Sequence, residues 1–418
     1  MKLVIFEDDQ FDRFLPMAWV RGVFELRNGA TTLAQKIERA AGRKADALLV
    51  REYVAPVLRH RSGPAAVNDL SGCRGDEVLF VNARVIGTEF KVPAAPGAAW
   101  KGEQLAVWRT KDNVTGIQDY ASLAAAAKKA PRSEFTGGWF EWIWDVMLSN
   151  PEHIKADFQA AGRSGIEGTM HERAVVFGPR DQVYIGKGAE IHPFVCIDTR
   201  NGPVTLEEGV EVHPFTRIEG PCYVGAKSIL LGAKIREGTS IGPMCRVGGE
   251  VEESIIHGYS NKYHDGFLGH AYVGEWVNLG ALTTNSDLKN DYSTVSLMMG
   301  GKTIDTGSTK VGSFIGDHVK TSICTLLNTG TVVGTASILV ATGAPLPKYI
   351  PAFAWFLNGV VSKGFGLNAI VDTARTAMGR RKVTMTPEDE ALLRKIFELT
   401  AEERLDYVRK GRRMLAKK

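Results

Sequence analysis

Between Ile185 and Leu339 an aliphatic residue returns every six positions. Ile185, Ile191 and Ile197 are spaced so, as are Leu206, Val212, Ile218 and Val224, then Ile235, Ile241 and Val247, then Ile315, Thr321, Leu327, Val333 and Leu339. A period of six is neither the 3.6 of an amphipathic helix nor the alternation of a half-buried strand. It matches a parallel β-helix, in which each hexad supplies one short strand and one turn and stacked coils bury one another. Many anchors precede a small residue, as in Val224-Gly225, Ile241-Gly242 and Ile315-Gly316. Glycine there is expected to accept turn angles that a Cβ would resist.

Such a rod is filled by its own side chains. Its chemistry is therefore expected on loops that leave the prism or in grooves between rods. Four irregularities stand out. Ile197 to Leu206 is a step of nine, and the phase slips between Val224 and Ile235. Residues Ser260 to Leu268 depart from the hexad, and Thr283 to Lys310 forms a polar excursion. The Pro-rich stretch Gly343 to Pro351 is expected to end the rod, and the last thirty or so residues read as a charged helical segment with Thr386 at its start.

Residues 1–165 lack the repeat. Apolar runs at Met1–Phe6 and Glu77–Arg84, with a helix opened by Thr31 or Thr32, predict an α/β unit with a mostly parallel sheet. Trp139, Trp142 and Trp144 suggest one or two helices between Phe135 and Phe158 that dock this unit on the start of the rod. The expected organisation is thus 1–165 α/β, 170–342 β-helix and 343–418 helical extension. A net charge of +4 over 418 residues admits anionic small molecules and gives no argument for nucleic acid. Five scattered cysteines without a CxxC pair read as thiols in a reducing compartment. The opening MKLVIFEDD reads as a strand, and no run approaches the eighteen or so apolar residues of a membrane span, so the expectation is a cytoplasmic protein.

The segment from Ser260 through His264 to Gly274, followed by Val277-Asn278-Leu279-Gly280-Ala281, resembles the acetyltransferase site of the bifunctional bacterial family that acetylates glucosamine-1-phosphate and then uridylylates the product. The family pattern, S-K-x-G-H-L-x-Y-L-G-D-A-x-I-G-x-x-V-N-I-G-A, aligns without a gap. Ile315-Gly316-Asp317-His318-Val319 is similar to its I-G-D-x-V, which borders the acetyl-CoA groove. The resemblance implies a left-handed β-helix, acetyl-CoA as co-substrate, His264 as general base and Asn278 as a sugar-holding residue. It also implies substrate contacts from Lys262, Tyr263, Phe267, Asn285 and Lys289. Phe267 stands where the family has tyrosine, and the Asn285 loop departs from the family's Asn-Tyr-Asp-Gly. Acetylating an amine needs a base, and an imidazole, which ordinarily titrates near 6.5, suits that task at neutral pH.

The N-terminal unit resembles a reduced sugar-nucleotide pyrophosphorylase domain. Arg13-Phe-Leu-Pro16 and Arg21-Gly-Val23 are similar to the family's R-L-x-P and R-P-K, with Val23 in place of the phosphate-binding lysine. Phe6 to Phe11 replaces the Gly-rich phosphate loop with acidic residues, which repel phosphate. Asn82 stands nearest the family's metal-binding aspartate, so the Mg²⁺ that nucleotidyl transfer would require is weakly provided for. Arg13, Arg21 and Asn82 are the implied sugar-nucleotide contacts. Glu7, Asp8 and Asp9 read either as a metal site or as a solvated strand end.

The leading expectation is an acyl-CoA-dependent N-acetyltransferase acting on an amino-sugar phosphate or nucleotide-linked sugar, with an N-terminal domain that binds a sugar nucleotide. The fold type predicts a homotrimer without nucleic-acid or membrane partners. Three alternatives stay open. One is an active sugar-1-phosphate nucleotidyltransferase, and another is a non-catalytic sugar-nucleotide-binding trimer. The third is a zinc lyase or hydrolase using His192 and His213, which the coil spacing could stack.

Overall fold

The structure, a computed structural model, describes residues 1–416. It divides into two compact units: Met1–Phe14, Val20–Leu26 and Thr31–Ile143 form one, and Leu15–Trp19, Arg27–Ala30 and Trp144 onward form the other.

The first unit is built on a seven-stranded sheet. Strands β1 (Lys2–Phe6), β2 (Ala47–Leu49), β3 (Ala66–Val67), β4 (Val78–Asn82), β5 (Gly97–Lys101), β6 (Gln104–Thr110) and β7 (Arg132–Glu134) lie in the order β3-β2-β1-β4-β6-β5-β7. The two apolar runs pair in parallel at the centre, from Lys2 against Val78 to Phe6 against Asn82. β6 returns antiparallel to β4. Helix α1 (Leu33–Ala41) is capped by Thr32, whose side chain accepts from the Gln35 amide while Gln35 returns a bond to the Thr32 amide. α2 (Ala55–Arg61) and α3 (Tyr120–Ala127) complete the unit. The strand order reverses between β1 and β4, and sheets of this kind bind ligands outside such a switch point.

The second unit is a left-handed parallel β-helix with helices alongside. Its first face is a ladder of ten parallel strands, from Gly165–Ile166 to Tyr349–Ile350. Ile185, Leu206, Val224, Ile241, Ile256, Val273, Ile315, Val333 and Ile350 stack rung on rung through its interior. All nine are buried. The second face carries Ile191, Val212, Leu230 and Val247, and the third Ile197, Ile218, Ile235, Val251 and Leu268. The phase slip has a simple cause. Ile229–Ile235 and Arg246–Glu252 run as single strands across a corner that other coils turn with a full loop.

The glycines after the anchors have a different cause from the one expected. Their φ is not left-handed; the next coil lies too close for a side chain. A Cβ on Gly242 would sit 1.9 Å from the His257 carbonyl oxygen, and one on Gly334 2.3 Å from the Ala352 nitrogen. Left-handed angles fall two residues later, on Lys227, Met244, Tyr259, Trp276, His318, Ala336 and Phe353. These seven form one column along the corner between the first and second faces.

Segment Ser260–Leu268 stays in the wall. Asn261–Lys262 pairs with Arg246–Val247, and Phe267–Gly269 with Glu250–Glu252, so only the turn between them protrudes. The excursion is also shorter than Thr283–Lys310, since Thr284–Asn285 still pairs with Leu326–Leu327. It is an antiparallel hairpin, Ser296–Met299 against Lys302–Asp305, turning through Gly300-Gly301 with both φ positive.

The coils continue past the Pro-rich stretch at 343–351. Tyr349–Ile350 and Trp355–Leu357 add to the first and second faces, and Val360–Ser362 folds back antiparallel to close the end. Helices α4 (Ile143–Leu148) and α5 (Asn150–Ala161) follow the Trp-rich segment. α5 packs on the middle of the rod, where Asn150 donates to the Gly238 carbonyl at 2.7 Å and to Ser240 Oγ at 3.0 Å. The extension holds three helices, α6 (Leu367–Gly379), α7 (Pro387–Leu399) and α8 (Ala401–Leu415), α6 lying ahead of the segment that starts at Thr386. No helix among the described residues is long and apolar enough to cross a membrane.

Candidate functional site

Four of the resembling residues, Lys262, Tyr263, His264 and Asn278, lie on the second face and its corner. Lys262 occupies an inward position, stacked on Val247 and 3% exposed. An ammonium at a core position must find acceptors, and Lys262 donates to the Gly248 carbonyl at 2.9 Å and the His264 carbonyl at 2.8 Å. Burial lowers its pKa to about 8. Expected as a substrate contact, Lys262 instead pins the turn that carries His264. The His264 side chain is exposed, with the Tyr263 ring edge-on at 5.0 Å and Tyr263 itself 43% exposed.

Asn278 lies one coil further on and is half-buried, bridged in parallel to Asn261 on one side and Lys320 on the other. Its Oδ1 accepts from Asn261 Nδ2 at 3.1 Å, and Asn261 Oδ1 accepts from Arg381 at 2.6 Å. Asn278 lines a cavity of about 440 Å³ between this face and α6, together with Tyr259, Trp276, Lys320 and Arg381. His264 is not part of that lining. Neither Lys320 nor Arg381 was foreseen; Lys320 sits beside the anchor Thr321, where a hexad-based search looks only at the anchor.

The remaining expected contacts fall elsewhere. Asn285 is buried, and both ends of its amide are taken by Gly269, which donates to Oδ1 and accepts from Nδ2 at 2.9 Å each. It holds coil to coil and offers nothing to a ligand. Lys289 is tied within the excursion to Ser293 and the Thr294 carbonyl. Phe267 is half-buried on the third face, its amide donating to Thr284 Oγ1.

An unforeseen cluster forms where the excursion leaves the rod. His270, 2% exposed, has Nδ1 2.8 Å from Asp287 and Nε2 3.3 Å from Glu253. Burial favours the neutral ring, but the two carboxylates win and raise its pKa to about 9. The His270 bond holds the Glu253 carboxyl below its usual value, and does the same for Asp287 against burial.

In the first unit the acidic strand end is solvated only at Asp9, which is exposed. Glu7 and Asp8 are buried, Glu7 paired with Arg51 at 2.7 Å and Asp8 with Arg84 at 3.1 Å. Asn82 is fully buried and satisfied, donating to Asp8 and the Leu105 carbonyl and accepting from the Arg84 amide. The Asn82 amide and the Arg84 guanidinium both donate to Asp8 Oδ2, so these residues do not fit a divalent cation. Arg13 pairs with Glu141 and lies over the Trp142 ring at 4.8 Å, while Arg21 is 1% exposed. A cavity of about 1220 Å³ nonetheless opens beyond β1, lined by Glu7, Asp8, Arg51, Arg59 and Tyr120 among others.

His192 and His213 do stack, with ring centres 4.8 Å apart, and each faces a glutamate two residues before it. No group of three His, Cys, Asp or Glu arranged to hold a metal occurs among the described residues.

Residues 3–164 match the model of the sugar nucleotidyl transferase family. A bifunctional sugar-1-phosphate nucleotidylyltransferase/acetyltransferase from Sulfurisphaera tokodaii is 38% identical over 85 residues, 20% of this chain and 21% of that protein. The bifunctional protein GlmU of Rippkaea orientalis is 32% identical over 204 residues, 47% of this chain and 41% of its own. The chain thus spans less than half the length of these curated relatives. A solved Arabidopsis UDP-N-acetylglucosamine acyltransferase covers 52% of this chain and 78% of its own, at 15% identity and a TM-score of 0.25. Residues 3–164 thus match a sugar nucleotidyl transferase model, and the chain is similar over part of its length to bifunctional nucleotidyltransferase/acetyltransferase proteins of the GlmU kind.

Proposed function

We propose that this protein is an acyl-CoA-dependent N-acyltransferase of sugar-nucleotide metabolism, acting on an amino-sugar phosphate or a nucleotide-linked amino sugar. The observation that carries this is the exposed imidazole of His264 on a turn fixed from inside the rod by Lys262, one coil from Asn278. His264 removes one proton from the sugar ammonium and releases it to solvent. The free amine attacks the thioester carbonyl, and the C–N bond forms as the C–S bond breaks. The second amine proton passes through the same imidazole to the departing thiolate. Asn278 holds sugar oxygens without titrating. Thiol release from acetyl-CoA, measured over a panel of amino-sugar phosphates, tests the reading. His264→Ala is expected to lower kcat/KM by about 10²- to 10⁴-fold, and unchanged turnover would sink it.

The N-terminal domain, in this proposal, binds a sugar nucleotide in the cavity beyond β1 and does not transfer nucleotides. Its support is the Arg84–Asp8 pair and the saturated Asn82. Mg²⁺-dependent pyrophosphate release from any nucleoside triphosphate would favour the nucleotidyltransferase alternative. A homotrimer is proposed as well. Phe194 and Phe215, stacked at 5.7 Å, share with Leu282 and Ile323 the corner that carries His264, and all four are more than half exposed. An apolar stripe of this kind suits contact with a second copy. Sedimentation equilibrium of wild type and Phe215→Glu reads the assembly directly.

A further inference from the structure

The cavity beside Asn278 continues around the corner of the rod into a second hollow of about 720 Å³, sharing Tyr259, Arg380 and Arg381 with it. Together they form one groove between the coils and the end of α6. Its charge is one-sided. Lys320, Arg380 and Arg381 line one part, and Arg246, Lys227 and Lys382 the other, against two acids, Asp372 and Glu208. Asp372 is already engaged by Arg375 at 2.7 Å. Arginines elsewhere on the rod find carboxylates: Arg163 with Glu207, Arg200 with Asp198, Arg217 with Glu219 and Arg236 with Glu252.

In the groove the cations bond only to neutral oxygens. Lys320 donates to the Trp276 and His318 carbonyls, Arg246 to the Lys227 and Cys245 carbonyls, and Arg381 to the Met244 carbonyl and Asn261. Burial depresses the Arg381 guanidinium, and the nearby charges of Arg246 and Arg380 add to the effect. Gathering like charges in a partly dry cleft is unfavourable unless an anion joins them. Rings line the same groove. Tyr259 and Trp276, on successive rungs of the left-handed column, stack at 4.5 Å, with His318 following at 6.3 Å.

We propose that this groove binds a nucleoside diphosphate, its phosphates held by Arg246, Arg380, Arg381 and Lys320 and its base laid against the Tyr259–Trp276 rings. Guanidinium groups suit phosphate, and aromatic faces suit a planar base. The groove shares Asn278 with the site proposed for acyl transfer, and His264 is not among the residues that line it.

Hydrogen exchange of the full chain, with UDP, ADP or inorganic pyrophosphate added, tests it locally. A nucleoside diphosphate is expected to slow exchange in α6 and the Arg380–Lys382 turn, more strongly than pyrophosphate at equal concentration. The double variant Arg380→Ala/Arg381→Ala should raise the apparent Kd for that protection at least tenfold, whereas His264→Ala should leave it unchanged. Arg380→Glu, at an exposed position, makes the same test without disturbing the packing. Unaltered α6 exchange at saturating nucleotide, protection insensitive to either arginine variant, or pyrophosphate matching the nucleotides would each overturn the proposal. Protection confined to the first unit would do the same, and would leave the reading of His264 intact.

Discussion

The His270 cluster lends itself to a quantitative test. The imidazole clips Asp287, at the root of the hairpin excursion, to Glu253 one coil below. Its pKa rises from an ordinary 6.5 to about 9 in the folded chain. Because the folded state holds the proton more tightly, the contribution is complete below pH 6.5 and fades as pH climbs through 9. Linkage puts it at about 3 kcal/mol at pH 6, about 2 kcal/mol at pH 7.5 and less than about 0.5 kcal/mol at pH 9. The depressed carboxyls of Glu253 and Asp287 contribute above their unfolded values and lose that contribution in acid. His270→Gln keeps polarity and removes the titration. Urea unfolding of parent and variant, followed by circular dichroism from pH 6 to pH 9.5, should show the stability difference shrinking steadily with pH. A difference that stays constant over that range would refute the assignment of a charged His270.

Three further outcomes follow from named contacts. Gly411→Ala, in the interior of α8, would ordinarily stabilise a helix by about 0.5–1 kcal/mol; here the new Cβ would lie 2.4 Å from the Val361 carbonyl oxygen. The sign reverses, and thermal melting should show a loss of about 1–3 kcal/mol, the usual cost of overpacking. Lys262→Met removes a charge whose pKa falls from 10.5 to about 8 on folding. The parent should gain stability as pH rises from 8 to 10.5 and the variant should not, while acyl transfer weakens because the His264 turn has lost its donor. Arg84→Met strands the buried carboxylate of Asp8 and should cost the first unit about 3–5 kcal/mol, visible as a lowered first transition in calorimetry.

The aliphatic anchors made the rod readable because each points inward and each repeats. The same logic hides Lys262, which occupies an anchor position with a charged residue and reads in sequence as a substrate contact. Asn285 was misplaced for a related reason: an amide that bonds a backbone looks in sequence like one that awaits a ligand. The left-handed column gave no signal, since its members share a backbone angle and no chemistry. α6 begins after Gly366 without a side-chain cap, so nothing announced its start. Arg381 reaches Asn261 across 120 positions, a pairing that no local pattern records. In the first unit, Asn82 stands out in sequence for lacking a carboxylate, but the Arg84 guanidinium on Asp8 is visible only once the neighbouring strands are known.

The left-handed column also bears on how such a protein can change. Each of its seven rungs holds a non-glycine residue at a strained angle, which costs about 1–2 kcal/mol whatever side chain is attached. The coils enforce that angle, so the side chain is free of any duty to the backbone. Successive rungs stand one strand spacing apart, about 4.8 Å, near enough for the Tyr259 and Trp276 rings to stack. The corner therefore works as a rack with interchangeable fittings. Exchanging Trp276 or Tyr259 would alter what the groove recognises and leave the rod that displays it unchanged.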